Sequence, residues 1–182
     1  MIRLFTALDL PPDIRERLVM LQSGVPGARW IRPENLHVTL RFIGEVDEHV
    51  VEDLDAALGR TVAPGFELRL EGVGYFGPVK RPANLWAGVE RSDAIQFLHD
   101  KIDRALVAAG LSPDDRKFRP HVTLARLKAD SRTDRIGRWQ EDNALFRAGP
   151  IPVSRFVLYR SHLGSDGSVY EPLMEYPLAE AA

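Results

Sequence analysis

The tetrapeptide His-Val-Thr-Leu occurs twice, at His37–Leu40 and at His121–Leu124, letter for letter and 84 residues apart (121 − 37). With five His and 45% hydrophobic residues, a shuffled chain of this composition is expected to hold roughly 0.03 copies of His-apolar-Thr-apolar. Two copies mark an internal repeat. Both read as strands, and a strand turns alternate side chains to opposite faces. Val38, Leu40 and Phe42 are therefore expected on one side, with His37, Thr39 and Arg41 on the other. In the second copy Val122 and Leu124 point inward while His121 and Thr123 face away. An imidazole and a hydroxyl thus share the face opposite the core, where a sheet free of helices can floor a cleft.

The rest of the chain surrounds each motif with similar elements. Residues 2–8 read as a strand, and Pro11-Pro12-Asp13 opens a helix with Ile14, Leu18 and Leu21 on one face, closing at Gly24. The first motif strand, residues 36–43, is followed by a helix that Asp47 is expected to cap and Gly59 to end. Phe66, Leu68 and Leu70 alternate with charged residues as a half-buried strand, and residues 72–82, rich in Gly and Pro, are expected to turn. A strand over 85–89 leads to the clearest helix, capped by Ser92, with Ile95, Leu98, Ile102 and Leu106 inward and Gly110 at its end. Then come the second motif strand over 121–127, a weaker helix over 134–144, and a hairpin of 153–159 with 169–178, joined through residues 164–167. This pattern predicts an α+β fold: two pseudo-symmetric lobes within one domain spanning residues 1–182. Each lobe is a small, mostly antiparallel sheet with helices on its outer face, and a cleft lies between them.

Composition narrows the function. The chain has no cysteine, which removes disulfides and thiolate chemistry. No apolar run approaches the roughly 20 residues that cross a bilayer, and the N-terminus lacks the pattern of a secretory signal, so a cytoplasmic monomer is expected. A net charge of -2 disfavours indiscriminate binding to long nucleic acid. Basic residues are instead local, at Lys80-Arg81 and at Arg116-Lys117-Phe118-Arg119.

Two imidazoles facing one another can split a phosphodiester by general acid-base catalysis, because histidine titrates near neutrality. Thr39 and Thr123 can donate to non-bridging phosphate oxygens. In-line displacement places the attacking and leaving oxygens on opposite sides of phosphorus, which a two-fold pair of His-Thr units supplies. There is no His-Glu-x-x-His, and no acidic residue at the facing positions of either motif, so neither metal nor cofactor is expected. His49, His99 and His162 read as solvated or packed. Phe5, Trp30, Phe76 and Trp86 are candidates for stacking on a base or for core packing. The Gly72-x-Gly74-x-x-Gly77 run lacks the helix of a dinucleotide fingerprint and reads as turn. Arg116, Lys117, Arg119 and Arg126 crowd the second motif, and nearby cations disfavour imidazolium. On that ground His121 is expected to be the readier base and His37 the readier acid.

The paired motifs resemble those of the two-histidine (2H) phosphoesterase superfamily. Their surroundings, Arg29-Trp30-Ile31, Asn35 through Glu45 and Phe118 through Arg126, resemble its RNA 2',3'-cyclic phosphodiesterase branch, also known as 2'-5' RNA ligase. The resemblance implies hydrolysis of an RNA-terminal 2',3'-cyclic phosphate to a 2'-phosphomonoester, with reversible 2'-5' ligation of RNA ends. It implies His37 as proton donor, His121 as proton acceptor, and Thr39 and Thr123 as phosphate ligands. Arg126 matches a family arginine five residues beyond the second histidine. Simple alternation puts it on the face opposite His121, and a bulge or the strand's end after Ala125 would bring it round. Related enzymes acting on ADP-ribose cyclic phosphate or 2'-5' oligonucleotides, and a non-catalytic protein that binds RNA ends, remain alternatives.

Overall fold

The computed structural model describes residues 1–180. In chain order its elements are β1 (Ile2–Asp9), α1 (Pro12–Val19), β2 (Arg29–Trp30), β3 (His37–Val46), α2 (Val51–Gly59), β4 (Phe66–Phe76), β5 (Asn84–Val89), α3 (Asp93–Ala108), β6 (His121–Arg126), α4 (Ile136–Asp142), β7 (Arg147–Val153), β8 (Arg155–Gly164) and β9 (Gly167–Pro177). The strand order is β7-β4-β5-β6-β3-β1-β8-β9, with β2 added beside β6. Two four-stranded antiparallel halves meet where β3 and β6 run side by side. One residue pair joins them, Val38 opposite Val122, the second residue of each motif. The repeat therefore sits at the seam of the fold.

The helices bury the stripes that their spacing foretells. On α3, Ile95, Leu98, Ile102 and Leu106 are buried, each worth on the order of 1.5–3 kcal/mol. Ser92 caps this helix, its Oγ accepting from the Ile95 amide at 3.3 Å. Proline in the first turn of α1 costs no hydrogen bond, and Ile14 and Leu18 are buried there. On α4, Trp139 donates from its indole nitrogen to the Leu21 carbonyl at 2.8 Å, tying that helix to the turn after α1.

Three expectations need correction. Asp47 makes no capping hydrogen bond, and a single 3-10 turn, Glu48–Val50, precedes α2. The glycines at 72 and 74 do not turn the chain but belong to β4, which stays paired with β5 out to Phe76 opposite Asn84. Gly74 is required because the Trp86 ring lies across it: a Cβ there would be 2.4 Å from the indole. Finally, β7 is a separate strand whose Pro150 and Pro152 disguise it. It lies at the sheet edge, where a missing backbone donor is tolerated.

Candidate active site

Both motif strands carry a bulge at the same residue. Between β1 and β3, Ala7 pairs with Thr39 and Thr6 with Arg41, so Leu40 is the extra residue. Between β5 and β6, Trp86 pairs with Thr123 and Leu85 with Ala125, so Leu124 is extra. A bulge resets which face the following side chains take. Leu40 and Arg41 are consequently both buried, as are Leu124 and Ala125. Phe42 and Arg126 swing onto the cleft side, where they line one cavity with His37, Thr39 and Thr123. Of the two routes open to Arg126, a bulge or the strand's end after Ala125, it comes round by a bulge, placed at Leu124. Arg41, expected beside His37, instead faces α3, donating from Nε to Asp103 Oδ1 at 2.7 Å and from Nη2 to the Ser112 carbonyl at 2.6 Å. Burial works to raise the Asp103 pKa, but Arg41 and the Asp114 amide outweigh it and hold the carboxyl below its ordinary range.

The two imidazoles are held alike. His37 donates from Nδ1 to the Asn35 carbonyl and His121 from Nδ1 to the Arg119 carbonyl, each 2.6 Å away and two residues back. A carbonyl only accepts, so Nδ1 carries the proton and Nε2 keeps a lone pair. His37 Nε2 lies 3.0 Å from the Thr39 hydroxyl. Aromatic walls match across the seam: Phe5 and Tyr170 flank His37 at 5.1 and 5.3 Å between ring centres, and Phe76 and Trp86 flank His121 at 4.8 and 6.3 Å.

His37, Thr39, Thr123 and Arg126 line a cavity of about 280 Å³. His121 lines the adjoining stretch of cleft with Phe76, Asn84 and Arg119, and Arg3, Thr39 and Phe42 border both. All five residues singled out by sequence therefore line one continuous groove. Tyr170 and Phe42 were missed, because the first belongs to a distant hairpin and the second changes face only through the bulge. His162 pairs with Glu171 on the β8–β9 hairpin at 2.7 Å. His99 is a packed residue. Among the described residues, no group of three or more His, Asp or Glu side chains is placed to hold a metal ion.

The electrostatic asymmetry is the reverse of that expected. Burial depresses His37 most; the bond to the Asn35 carbonyl opposes this, and His121, Arg126 and Arg15 push further down, to about 4. His121 is also lowered by burial, with the Arg119 carbonyl opposing, and none of the four flanking cations is among the causes. The bulge carries Arg126 to the His37 side, and Arg116 lies 3.7 Å from Asp114. His37 is therefore neutral at pH 7.

Over residues 10–164 the sequence matches the family model of the 2'-5' RNA ligase superfamily. The RNA 2',3'-cyclic phosphodiesterase of Aeropyrum pernix is 33% identical over 92% of this chain and 95% of its own length. That of Thermus thermophilus is 34% identical over 97% of this chain and 90% of its own. The crystal structure of E. coli LigT in apo form superposes with a TM-score of 0.78 at 28% identity, covering 98% of each chain. LigT complexed with 3'-AMP gives 0.77 at 27% identity, covering 97% of this chain and 98% of that one.

Proposed function

This chain belongs to the 2'-5' RNA ligase superfamily, and on that footing we propose that it hydrolyses the 2',3'-cyclic phosphate at RNA 3' ends to a 2'-phosphomonoester. The observation that carries this reading is the matched pair of imidazoles, each with Nδ1 bound to the carbonyl two residues back and Nε2 left to face the cleft. The relatives' names, RNA 2',3'-cyclic phosphodiesterase, supply the substrate class.

In this mechanism the cyclic phosphate lies between the two Nε2 atoms. Thr39 and Thr123 donate to its non-bridging oxygens, and the Arg126 guanidinium balances their charge. His121 takes a proton from water as the water oxygen bonds to phosphorus. The bond from phosphorus to the 3' oxygen breaks, and His37 gives its Nε2 proton to that oxygen. The products are a 2'-phosphate and a 3'-hydroxyl, with the proton returned from His121 to His37 through solvent. A 5'-hydroxyl in place of water yields a 2'-5' linkage by the same steps. His37 must be protonated to act, and a phosphate anion beside Nε2 favours the imidazolium against the burial and the cations that depress its pKa.

The test is turnover of an oligonucleotide ending in 2',3'-cyclic phosphate, with the product identified by phosphorus NMR, alongside ADP-ribose cyclic phosphate and a 2'-5' oligonucleotide. A 2'-phosphate product supports the assignment and a predominant 3'-phosphate overturns it. Preference for either alternative substrate moves the chain elsewhere in the superfamily, and binding without turnover identifies a non-catalytic RNA-end protein.

A further inference from the structure

Resting on the reading of the catalytic cavity as a cyclic-phosphate site, we propose that the arm of the cleft formed by Arg29 and Arg32 binds the RNA strand itself. It takes the phosphodiester one nucleotide inward from the cyclic end. The arm is continuous with the catalytic cavity, since Ile31, Asn35, Arg126 and Tyr170 line both.

The first sign of a ligand is a cross-strand pair of like charge. In the short β2–β6 ladder Arg29 stands directly opposite Arg126, so the two side chains leave the same face of the sheet, an arrangement that is destabilising unless something lies between them. No carboxylate within salt-bridge distance of Arg29, Arg32 or Arg126 is found among the described residues. Arg41, Arg69, Arg132, Arg138, Arg147 and Arg155, by contrast, each reach one. The bonds that Arg29 and Arg32 do make are long and go to neutral acceptors: 3.5 Å to the Ser165 carbonyl and 3.4 Å to the Asp166 carbonyl. Their guanidinium forks are largely unspent, and that fork matches phosphate geometry. Asp166 also borders the arm, one acidic residue against three arginines.

The second sign is aromatic. Tyr170, half-buried, borders both the arm and the catalytic cavity, whereas Trp30, opposite the buried Ala125 on β6, turns its ring to the core. Cations interleaved with an aromatic ring are the equipment of single-stranded nucleic-acid grooves. The other end of the cleft is less suited to a strand. Arg116 there is paired with Asp114, Phe118 is stacked on His99 at 4.1 Å, and Phe76 meets His121 edge-on. The β8–β9 turn roofs the arm, held by Asn35 Nδ2 donating to the Ser168 carbonyl at 2.8 Å.

The test compares a cyclic mononucleotide with a dinucleotide ending in the same cyclic nucleotide. The dinucleotide should show kcat/KM higher by about tenfold or more, an advantage that shrinks as salt rises. It should vanish when the internucleotide phosphate is replaced by an uncharged methylphosphonate, a control that leaves the protein untouched. The dinucleotide-to-mononucleotide ratio should fall toward one in the Arg29→Gln/Arg32→Gln double variant. Equal kcat/KM for the two substrates overturns the proposal. So does a ratio that survives this double substitution but collapses in Lys117→Gln/Arg119→Gln. Fluorescence anisotropy with labelled 2'-phosphate mono- and dinucleotides gives the same ratio as affinities. Tighter dinucleotide binding through Arg29 and Arg32 with no turnover would remove the hydrolytic reading and keep the strand site.

Discussion

His99, buried on α3, donates from Nδ1 to the carbonyl of Leu40 at 2.7 Å, and Leu40 is the bulged residue of the first catalytic motif. At the second motif Gln22, in the turn after α1, donates from Nε2 to the carbonyl of the bulged residue, Leu124, at 3.0 Å, beside the Ile31 amide at 2.8 Å. A bulge disrupts the regular ladder, so a helix-side donor fixes where the strand bends and, with it, where Thr39 and Phe42 stand. His99 also stacks on Phe118, within 4° of parallel, one residue before the Arg119 carbonyl that orients His121. It touches neither substrate nor reacting atoms and acts as a positioning residue for both motifs.

His99→Leu should therefore lower stability by about 1–3 kcal/mol, since a buried carbonyl loses a donor, and should lower kcat more than it changes KM. His99→Gln, which can still donate, should restore most of kcat. Urea unfolding and steady-state kinetics of the two variants check this. Equal losses of kcat in both, or no loss in either, would show that the Leu40 bulge does not depend on this bond.

His37→Ala and His121→Ala should each leave a folded protein with activity reduced by at least the ~100-fold typical of losing an acid-base group. Circular dichroism controls for folding and single-turnover rates give the measurement. Near wild-type turnover in either folded variant would take that histidine out of the mechanism.

Much of this site is legible in sequence because the repeat is short, polar and placed against strand periodicity. His37, Thr39, His121 and Thr123 stand where alternation puts them. Alternation fails at the next residue, since nothing in the letters Leu40-Arg41 or Leu124-Ala125 announces where a bulge falls; each leucine carbonyl is met by a side-chain donor distant in sequence. The same failure misplaced Arg41 and Phe42. The flanking cations mislead for a related reason: they are adjacent to His121 along the chain, but the bulge delivers Arg126 to His37 in space. In the fold, Ser92 capped as its residue type foretells. The glycines of β4 misled because Gly74 accommodates the Trp86 ring, a contact between strands that the local sequence does not encode.

Chelation should leave the rate unchanged. The donors gathered in the cleft are two imidazoles, hydroxyls and a guanidinium, and the carboxylates needed to complete a metal site are not grouped with them among the described residues. Turnover after exhaustive treatment with chelator, compared with untreated protein, decides the matter. Activity that disappears and returns with added zinc or manganese would replace the acid-base pair by a metal-bound hydroxide.

The depressed pKa of His37, about 4, has consequences for stability and for catalysis. Because the folded value lies below the unfolded value of about 6.5, the unfolded chain takes up this proton first. Above pH 6.5 His37 contributes no pH dependence. As pH falls from 6.5 to 4 it destabilises the fold progressively, by up to ~3 kcal/mol, and urea midpoints should drop over that window less in His37→Asn than in the wild type. Catalysis requires the opposite state, His37 as imidazolium near pH 7, so substrate must supply what the protein's own groups withhold. A phosphate bound beside Nε2 would offset the desolvation and the repulsion from Arg126 and raise the pKa. Proton NMR of the His37 ring should therefore show titration near 4 in the free protein and a marked upward shift with saturating inorganic phosphate. Arg126→Gln should raise the free value and narrow the difference. A His37 ring that titrates at the same pH with and without phosphate could not serve as the acid, and the donor role would pass to His121.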